Sequence, residues 1–263
     1  MKTITETMQQ NIEKKKMSFI PFIVAGDPDI ETSKEIIKTL EQSGADILEL
    51  GIPYSDPLAD GPVIQKASQR ALKAGMSLKK SIELVSCLRR DISIPVIMFT
   101  YFNPVLKYGL EKLVKDIKKA GFQGLLIPDL PIEEMDDIIE LTQKEGIELV
   151  MLVTPTSGAE RIKKIVDVSQ GFVYLVSVTG VTGERTDFSG SVERSLFIIR
   201  QYTTKPVAVG FGISKKDHID KLKHLNAQGA IIGSALIKQI EANLDNKACL
   251  LKNIEEYVAG LGL

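Results

Sequence analysis

Short apolar, β-branched runs alternate along the chain with longer stretches of helical periodicity. The apolar runs fall at 18–27, 45–51, 95–101, 124–129, 147–154, 172–178, 206–212 and 229–234. Amphipathic stretches follow at 31–43, 62–74 with 77–90, 109–120, 132–145, 159–168, 190–201, 214–225 and 235–258. Nearly continuous apolar runs suit strands of a parallel sheet covered on both faces. Strict strand–helix alternation suits an α/β fold. Eight such units in a chain of 263 residues match a (β/α)8 TIM barrel. An open doubly wound sheet is the alternative, and it usually has fewer strands. No low-complexity linker or composition break divides the chain, so residues 1–263 read as a single barrel domain. The opening MKTITETMQQNIEKKKM reads as an extra N-terminal helix over 2–15 that covers the bottom of the barrel.

Composition narrows the function classes. Hydrophobic residues make up 44% and charged residues 25%, enough for a large core and against disorder as the main state. Lys plus Arg number 33 against 34 Asp plus Glu, a net charge of −1 that argues against a general nucleic-acid-binding surface. No apolar run reaches the roughly 18 residues of a membrane span. The first residues carry acids and lack an apolar segment, so no secretory signal is expected. Cys87 and Cys249 have neither disulfide-framework nor zinc spacing, and both fall in helical stretches. They read as reduced packing residues of a cytoplasmic protein.

A barrel places its chemistry at the C-terminal ends of the strands. Those windows hold no histidine. His218 and His224 fall in the helix after strand 206–212 and read as surface residues, so no metal site is expected. Lys205 lies at the wrong end of its strand and Lys107 several residues past one, which leaves no amine for a Schiff base. The windows do hold carboxylates: Asp27, Glu49, Asp56, Asp60 and Asp129. Asp27 and Asp129 lie beside prolines and serve equally well as caps or ion-pair partners. Glu49 differs. If Leu48 and Leu50 face the helices, Ile47 and Glu49 face the barrel interior. A carboxylate there is costly unless neutral or paired. Its pKa is expected to be raised, which suits proton transfer near neutrality. Asp60 follows in the proline-rich loop LGIPYSDPLADGP (50–62), which can hold it over the mouth of the same strand. The plain alternative for Asp60 is an Asx turn before Gly61.

A phosphate site is the second signal. Strand 206–212 ends in Gly210-Phe211-Gly212, and strand 229–234 ends in Gly233-Ser234. Each glycine-rich end leads into a helix, where free N–H groups and the positive dipole end favour an anion. Ser234 as a simple N-cap is the alternative. The loop TGVTGERTDFSG (179–190) has the composition of a segment that closes over substrate, with Thr182 and Gly183 as candidate contacts. It could equally be a plain surface loop. Phe22, Phe99, Tyr101, Tyr174 and Phe211 cluster at the same barrel face, as core filling or as walls for a flat apolar ligand.

LELGIPYSDPLADGPVIQ (48–65) closely resembles the signature of the tryptophan synthase alpha subunit family. PFIVAGDP (21–28), PDLPIEE (128–134), SVTGVTGER (177–185), VGFGIS (209–214) and GSALIK (233–238) do so as well, in order and at the expected spacing. The resemblance implies a (β/α)8 barrel that cleaves indole-3-glycerol phosphate to indole and glyceraldehyde 3-phosphate. It implies Glu49 and Asp60 as the catalytic pair, phosphate contacts at Gly183, Gly212, Gly233 and Ser234, and an indole pocket of Phe22, Phe99, Leu126, Tyr174 and Phe211. It also implies an α2β2 complex in which the beta subunit carries pyridoxal phosphate and receives the indole, with no cofactor in this chain. The loop 53–60 and the region 101–107 resemble the surfaces that face that subunit. The carboxylate inventory suits such a lyase, because protonating indole C3 creates the electron sink without an imine or a metal. Two rivals remain open: another phosphate-binding barrel enzyme, and a subunit that chiefly binds and activates a partner.

Overall fold

Nine strand segments form one parallel sheet in the computed structural model, which describes residues 2–177, 188–210 and 212–263. The first half of the chain runs α1 (Ile4–Glu13), β1 (Ser18–Val24), α2 (Ile30–Gln42), β2 (Leu48–Gly51), α3 (Pro62–Lys73), α4 (Leu78–Leu88), β3 (Val96–Phe99), α5 (Phe102–Tyr108), α6 (Leu110–Ala120) and β4 (Gly124–Leu126). The second half runs α7 (Asp136–Glu145), β5 (Glu148–Leu149), β6 (Met151–Val153), α8 (Ala159–Val168), β7 (Val173–Val176), α9 (Phe188–Arg200), β8 (Val207–Gly210), α10 (Lys216–His224), β9 (Gly229–Ile232), α11 (Ser234–Glu241) and α12 (Lys247–Gly260).

The sheet order is β5-β4-β3-β2-β1-β9-β8-β7-β6. Its two ends, β5 and β6, are consecutive halves of one strand on either side of Val150. The ring therefore closes through covalent chain, and the fold is the (β/α)8 TIM barrel with its extra helix. The strand splits because side chains take over its ladder. Leu149 N–H donates to Gln170 Oε1 (3.1 Å) and Met151 N–H to Ser169 Oγ (3.3 Å), while Val150 N–H still reaches Leu125 O (3.0 Å). The strands are buried almost throughout, as continuous apolar runs require.

Helix α1 closes the N-terminal end of the barrel. Thr3 and Glu6 form a reciprocal capping box at its start. Ile4 is fully buried against Gly124 and Gly171, where an added Cβ would stand 2.5 and 2.6 Å from Ile4 atoms. The Glu148 carboxylate accepts the Thr5 N–H (3.0 Å) and bonds the Thr5 hydroxyl, tying the helix to β5.

Three expectations are corrected and one helix is added. The closing helix expected over 235–258 is two helices, because Asn246 caps a new one by accepting the Cys249 N–H (3.1 Å). The expected helix 132–145 is a 3₁₀ turn, Ile132–Glu134, followed by α7. A further helix, α5, occupies 102–108 and ends at Gly109, whose φ is +92°. Cys87 and Cys249 are both exposed on their helices and do not pack in the core. Among the described residues, no helix is long and apolar enough to cross a membrane.

The contact beneath the barrel yields a stability test. Gly171 has φ +72°, and its missing Cβ makes room for Ile4. Gly171→Ala is expected to cost about 1–3 kcal/mol through overpacking and backbone strain. Urea denaturation checks this, and an unchanged midpoint would remove the packing role assigned to α1.

Candidate active site

Glu49 is built into the wall of the barrel. In parallel strands, paired residues share a direction, and Glu49 is in register with Phe22 on β1 and Ile97 on β3. The fully buried Leu48 and Leu50 alternate with it, so the carboxyl is forced inward. It is only 1% exposed. Its Oε1 has no hydrogen-bond partner among the described residues. Burial pushes its pKa up to about 8, and the nearby Asp60 charge adds to the shift. At neutral pH this carboxyl holds its proton.

Asp60 is placed by the turns that precede it. Leu58 N–H donates to Asp56 O (2.9 Å) and Asp60 N–H to Pro57 O (3.0 Å), while Gln65 Nε2 holds the Asp60 carbonyl (2.8 Å). The next helix uses Gly61 as its N-cap, so the Asp60 side chain is not the N-cap. Tyr101 holds it instead. The phenol oxygen accepts the Ala59 N–H (3.1 Å), and the hydroxyl bonds the Asp60 carboxylate. The Tyr101 ring packs on Tyr54 at 5.5 Å, and Phe102 N–H is fixed by Asp129 Oδ1 (2.9 Å). Burial raises the Asp60 pKa to about 6 against the lowering effect of the Tyr101 hydrogen bond. The two carboxyls therefore occupy opposite protonation states at pH 7.

Both carboxyls line a cavity of about 420 Å³ at the C-terminal ends of the strands. Phe22 and Phe99 meet edge to face there, with centroids 5.4 Å apart. Tyr174 points inward beside them and is 3% exposed. Burial and the two carboxyls hold its phenol well above its ordinary pKa, so it stays protonated. The glycines at the strand ends make room for these rings. A Cβ at Gly51 would stand 2.6 Å from Phe22 and one at Gly233 3.1 Å from it, and one at Gly210 would overlap Tyr174.

Gly212, Ser214, Gly233, Ser234 and Ala235 line the other end of the cavity. Helix α11 starts here with Gly233 as N-cap and no side-chain capping bond. Ser234 is the first helical residue and not the cap, and among the described residues no side chain accepts the first-turn N–H groups. The helix expected to open at Ser214 begins only at Lys216. Lys238, one turn beyond Ser234 on α11, also lines this end of the cavity. Ile64, Gln239 and Tyr257 also line the cavity and were not singled out in the sequence. The four-residue spacing from Ser234 made Lys238 findable.

The remaining candidates separate clearly. Leu126 is fully buried, in register with Phe99, but does not line this cavity. Thr182, Gly183 and Phe211 lie outside the described residues. Asp27 is committed to a bidentate ion pair with Arg70 (2.7 and 2.8 Å), and Asp129 to the backbone of α5. His218 is not a plain surface residue, since its Nδ1 accepts the Ser214 N–H (3.3 Å). Among the described residues, no group of three or more His, Cys, Asp or Glu is arranged to hold a metal ion.

Comparison with known proteins identifies the family. A family model described as tryptophan synthase alpha chain matches residues 8–261. The tryptophan synthase alpha chain of a strain of Prochlorococcus marinus is 52% identical over 231 residues, covering 88% of this chain and 86% of that one. The crystal structure of tryptophan synthase subunit alpha from Legionella pneumophila superposes with a TM-score of 0.90 at 31% identity, covering 99% of this chain and 97% of that one. A chain of the tryptophan synthase complex from Pyrococcus furiosus superposes with a TM-score of 0.85 at 35% identity, covering 94% of this chain and 98% of that one. With a family model spanning nearly its whole length and a barrel that superposes on solved members end to end, the chain belongs to the tryptophan synthase alpha chain family.

Proposed function

We propose that Glu49 and Asp60 cleave indole-3-glycerol phosphate by carboxylate acid/base catalysis, with Glu49 moving protons and Asp60 stabilising charge. As a tryptophan synthase alpha chain, the protein is the indole-3-glycerol phosphate lyase component of tryptophan synthase. The family carries no cofactor of its own, and pyridoxal phosphate belongs to the beta subunit. The observation that carries the role assignment is the pair of carboxyls in one cavity, one neutral and one ionised at pH 7.

The neutral Glu49 carboxyl donates its proton to indole C3, giving an indoleninium. The resulting carboxylate takes the proton of the side-chain hydroxyl next to the scissile bond. The C3–carbon bond breaks, its electron pair returns to the ring, and the former alcohol carbon becomes the aldehyde of glyceraldehyde 3-phosphate. Protons balance, and Glu49 ends as it began. Asp60, ionised and held by Tyr101, accepts the indole N–H and offsets the positive charge that develops on the ring. Phe22, Phe99 and Tyr174 form the apolar walls for the indole. Gly212, Gly233 and Ser234 take the phosphate at the uncapped start of α11.

The same reading assigns a docking surface for the beta subunit. Leu58 is 93% exposed two residues before Asp60, and Leu106 is 58% exposed on α5. Tyr54 and Asp56 from the same loop and Asn103 and Lys107 from α5 line an open groove of about 660 Å³. Asn103 bonds the Tyr54 hydroxyl (2.8 Å), and Tyr54 packs on Tyr101, so pressure on this face bears on Asp60. We assign the chain to an α2β2 complex that passes indole to the beta subunit. Two exposed thiols without a disulfide support a reducing, cytoplasmic setting.

Two outcomes follow from the state of Glu49. Glu49→Gln is expected to lower the steady-state cleavage rate by at least about 10²–10⁴-fold. Release of glyceraldehyde 3-phosphate measures this, and activity within tenfold of wild type would remove Glu49 from the mechanism. The same substitution is expected to stabilise the fold. In the unfolded chain the carboxyl ionises above 4.5, whereas the folded site keeps its proton up to about 8. Wild-type stability therefore falls with rising pH across that window, on the order of 1.4 kcal/mol per pH unit at its steepest. Urea midpoints of wild type and Glu49→Gln should be close near pH 4.5 and diverge in favour of the variant toward pH 8. A constant difference across that range would show that Glu49 is ionised in the fold.

A further inference from the structure

Ser214 lies at the phosphate end of the cavity with Gly212, Gly233 and Ser234. It belongs to the short connection between β8 and α10, where Gly212 adopts φ +79°. Both of its backbone polar groups are held by side chains from outside that connection. Its N–H donates to His218 Nδ1 (3.3 Å), and its carbonyl accepts the Tyr257 hydroxyl (2.9 Å). His218 stands on α10 and Tyr257 on α12, and α12 packs against α11, whose first turn forms the opposite side of the same cavity end. The Gly212 backbone also hydrogen-bonds the His218 ring. Tyr257 itself lines the cavity.

We propose that His218 and Tyr257 are positioning residues that clamp the Ser214 backbone and so set the gap between the 212–214 segment and the start of α11. The inference rests on reading this end of the cavity as the phosphate site. An anion bound by backbone and hydroxyl donors needs those donors at a fixed spacing before it arrives, because ordering a loose segment on binding subtracts from affinity. The clamp supplies that order from two directions. Its chemistry fixes the protonation of both partners. Nδ1 accepts a hydrogen bond, so the neutral ring carries its proton on Nε2. The phenol donates, and burial pushes its pKa up to about 12, so it remains a donor throughout the working pH range. Neither side chain is required for the proton transfers at Glu49. Their loss is therefore expected in phosphate affinity and KM, with kcat preserved.

The test is calorimetric binding of two separate probes to the full chain: glycerol 3-phosphate for the phosphate end and indole for the aromatic end. Tyr257→Phe and His218→Ala are each expected to weaken glycerol 3-phosphate about 3- to 10-fold, the scale of one neutral hydrogen bond. Indole affinity and the thermal midpoint should stay at wild-type values. His218→Gln retains an acceptor and should recover binding to within about twofold of wild type. Ser234→Asp, which sets a carboxylate at the start of α11, serves as the control for the site itself. If Ser234→Asp abolishes glycerol 3-phosphate binding while Tyr257→Phe and His218→Ala bind it like wild type, the clamp is wrong and the phosphate site stands. If Ser234→Asp binds as tightly as wild type, the phosphate reading fails and the clamp falls with it. Weakening of both probes together, or a lowered thermal midpoint, would mark the two residues as general structural supports and overturn the positioning role.

Discussion

A carboxyl group inside a barrel, with one oxygen that finds no hydrogen-bond partner among the described residues, is expensive to keep. Glu49 is held there because its strand offers no other direction: Leu48 and Leu50 are buried on one side of β2, and the register with β1 and β3 commits Glu49 to the other. The fold meets this cost by keeping the group neutral. A neutral acid in an apolar cavity is a proton donor at physiological pH, so the energetic penalty and the proposed proton transfer have one origin. A glutamine would satisfy the fold better and could not move a proton.

The second carboxyl needs the opposite state a short distance away. Asp60 achieves it through a less complete burial and through Tyr101, whose hydroxyl stabilises the charged form. Tyr101 is in turn seated by Tyr54 and by the start of α5, which Asp129 caps. The loop that carries Asp60 thus shares its supports with an exposed apolar surface at Leu58 and Leu106. This is a physical route by which a partner on that surface would bias the loop that carries Asp60, because both depend on the same few contacts.

Much of this was legible in the residues alone, and the failures have specific causes. Glu49 stood out because strand alternation is a local rule and a carboxyl at an inward position breaks the apolar pattern around it. The eight-unit barrel followed from the same periodicity. Helix α5 was hidden because FNPVLKYG carries a proline and a glycine within one short turn-rich run. The break between α11 and α12 was written in ANLDNK, where Asn246 caps the new helix, but helical periodicity alone runs through it. Tyr101, His218 and Tyr257 depend on which loops and helices meet in space, and no spacing along the chain reports that. Gly210 and Gly233 read as anion approaches, yet they also clear space for Tyr174 and Phe22, as Gly51 does for Phe22. One small residue here serves two neighbours, and a linear reading shows only the nearer one.

The most direct test is a carboxyl carbon NMR titration of the full chain with labelled Glu and Asp, with Glu49→Gln used to assign the resonance. The structure predicts that Glu49 titrates near 8 and Asp60 near 6, so that the pair holds one proton at neutral pH. A Glu49 resonance that titrates at or below 4.5, the ordinary value for a glutamate, would show an ionised group in the barrel wall and contradict the account.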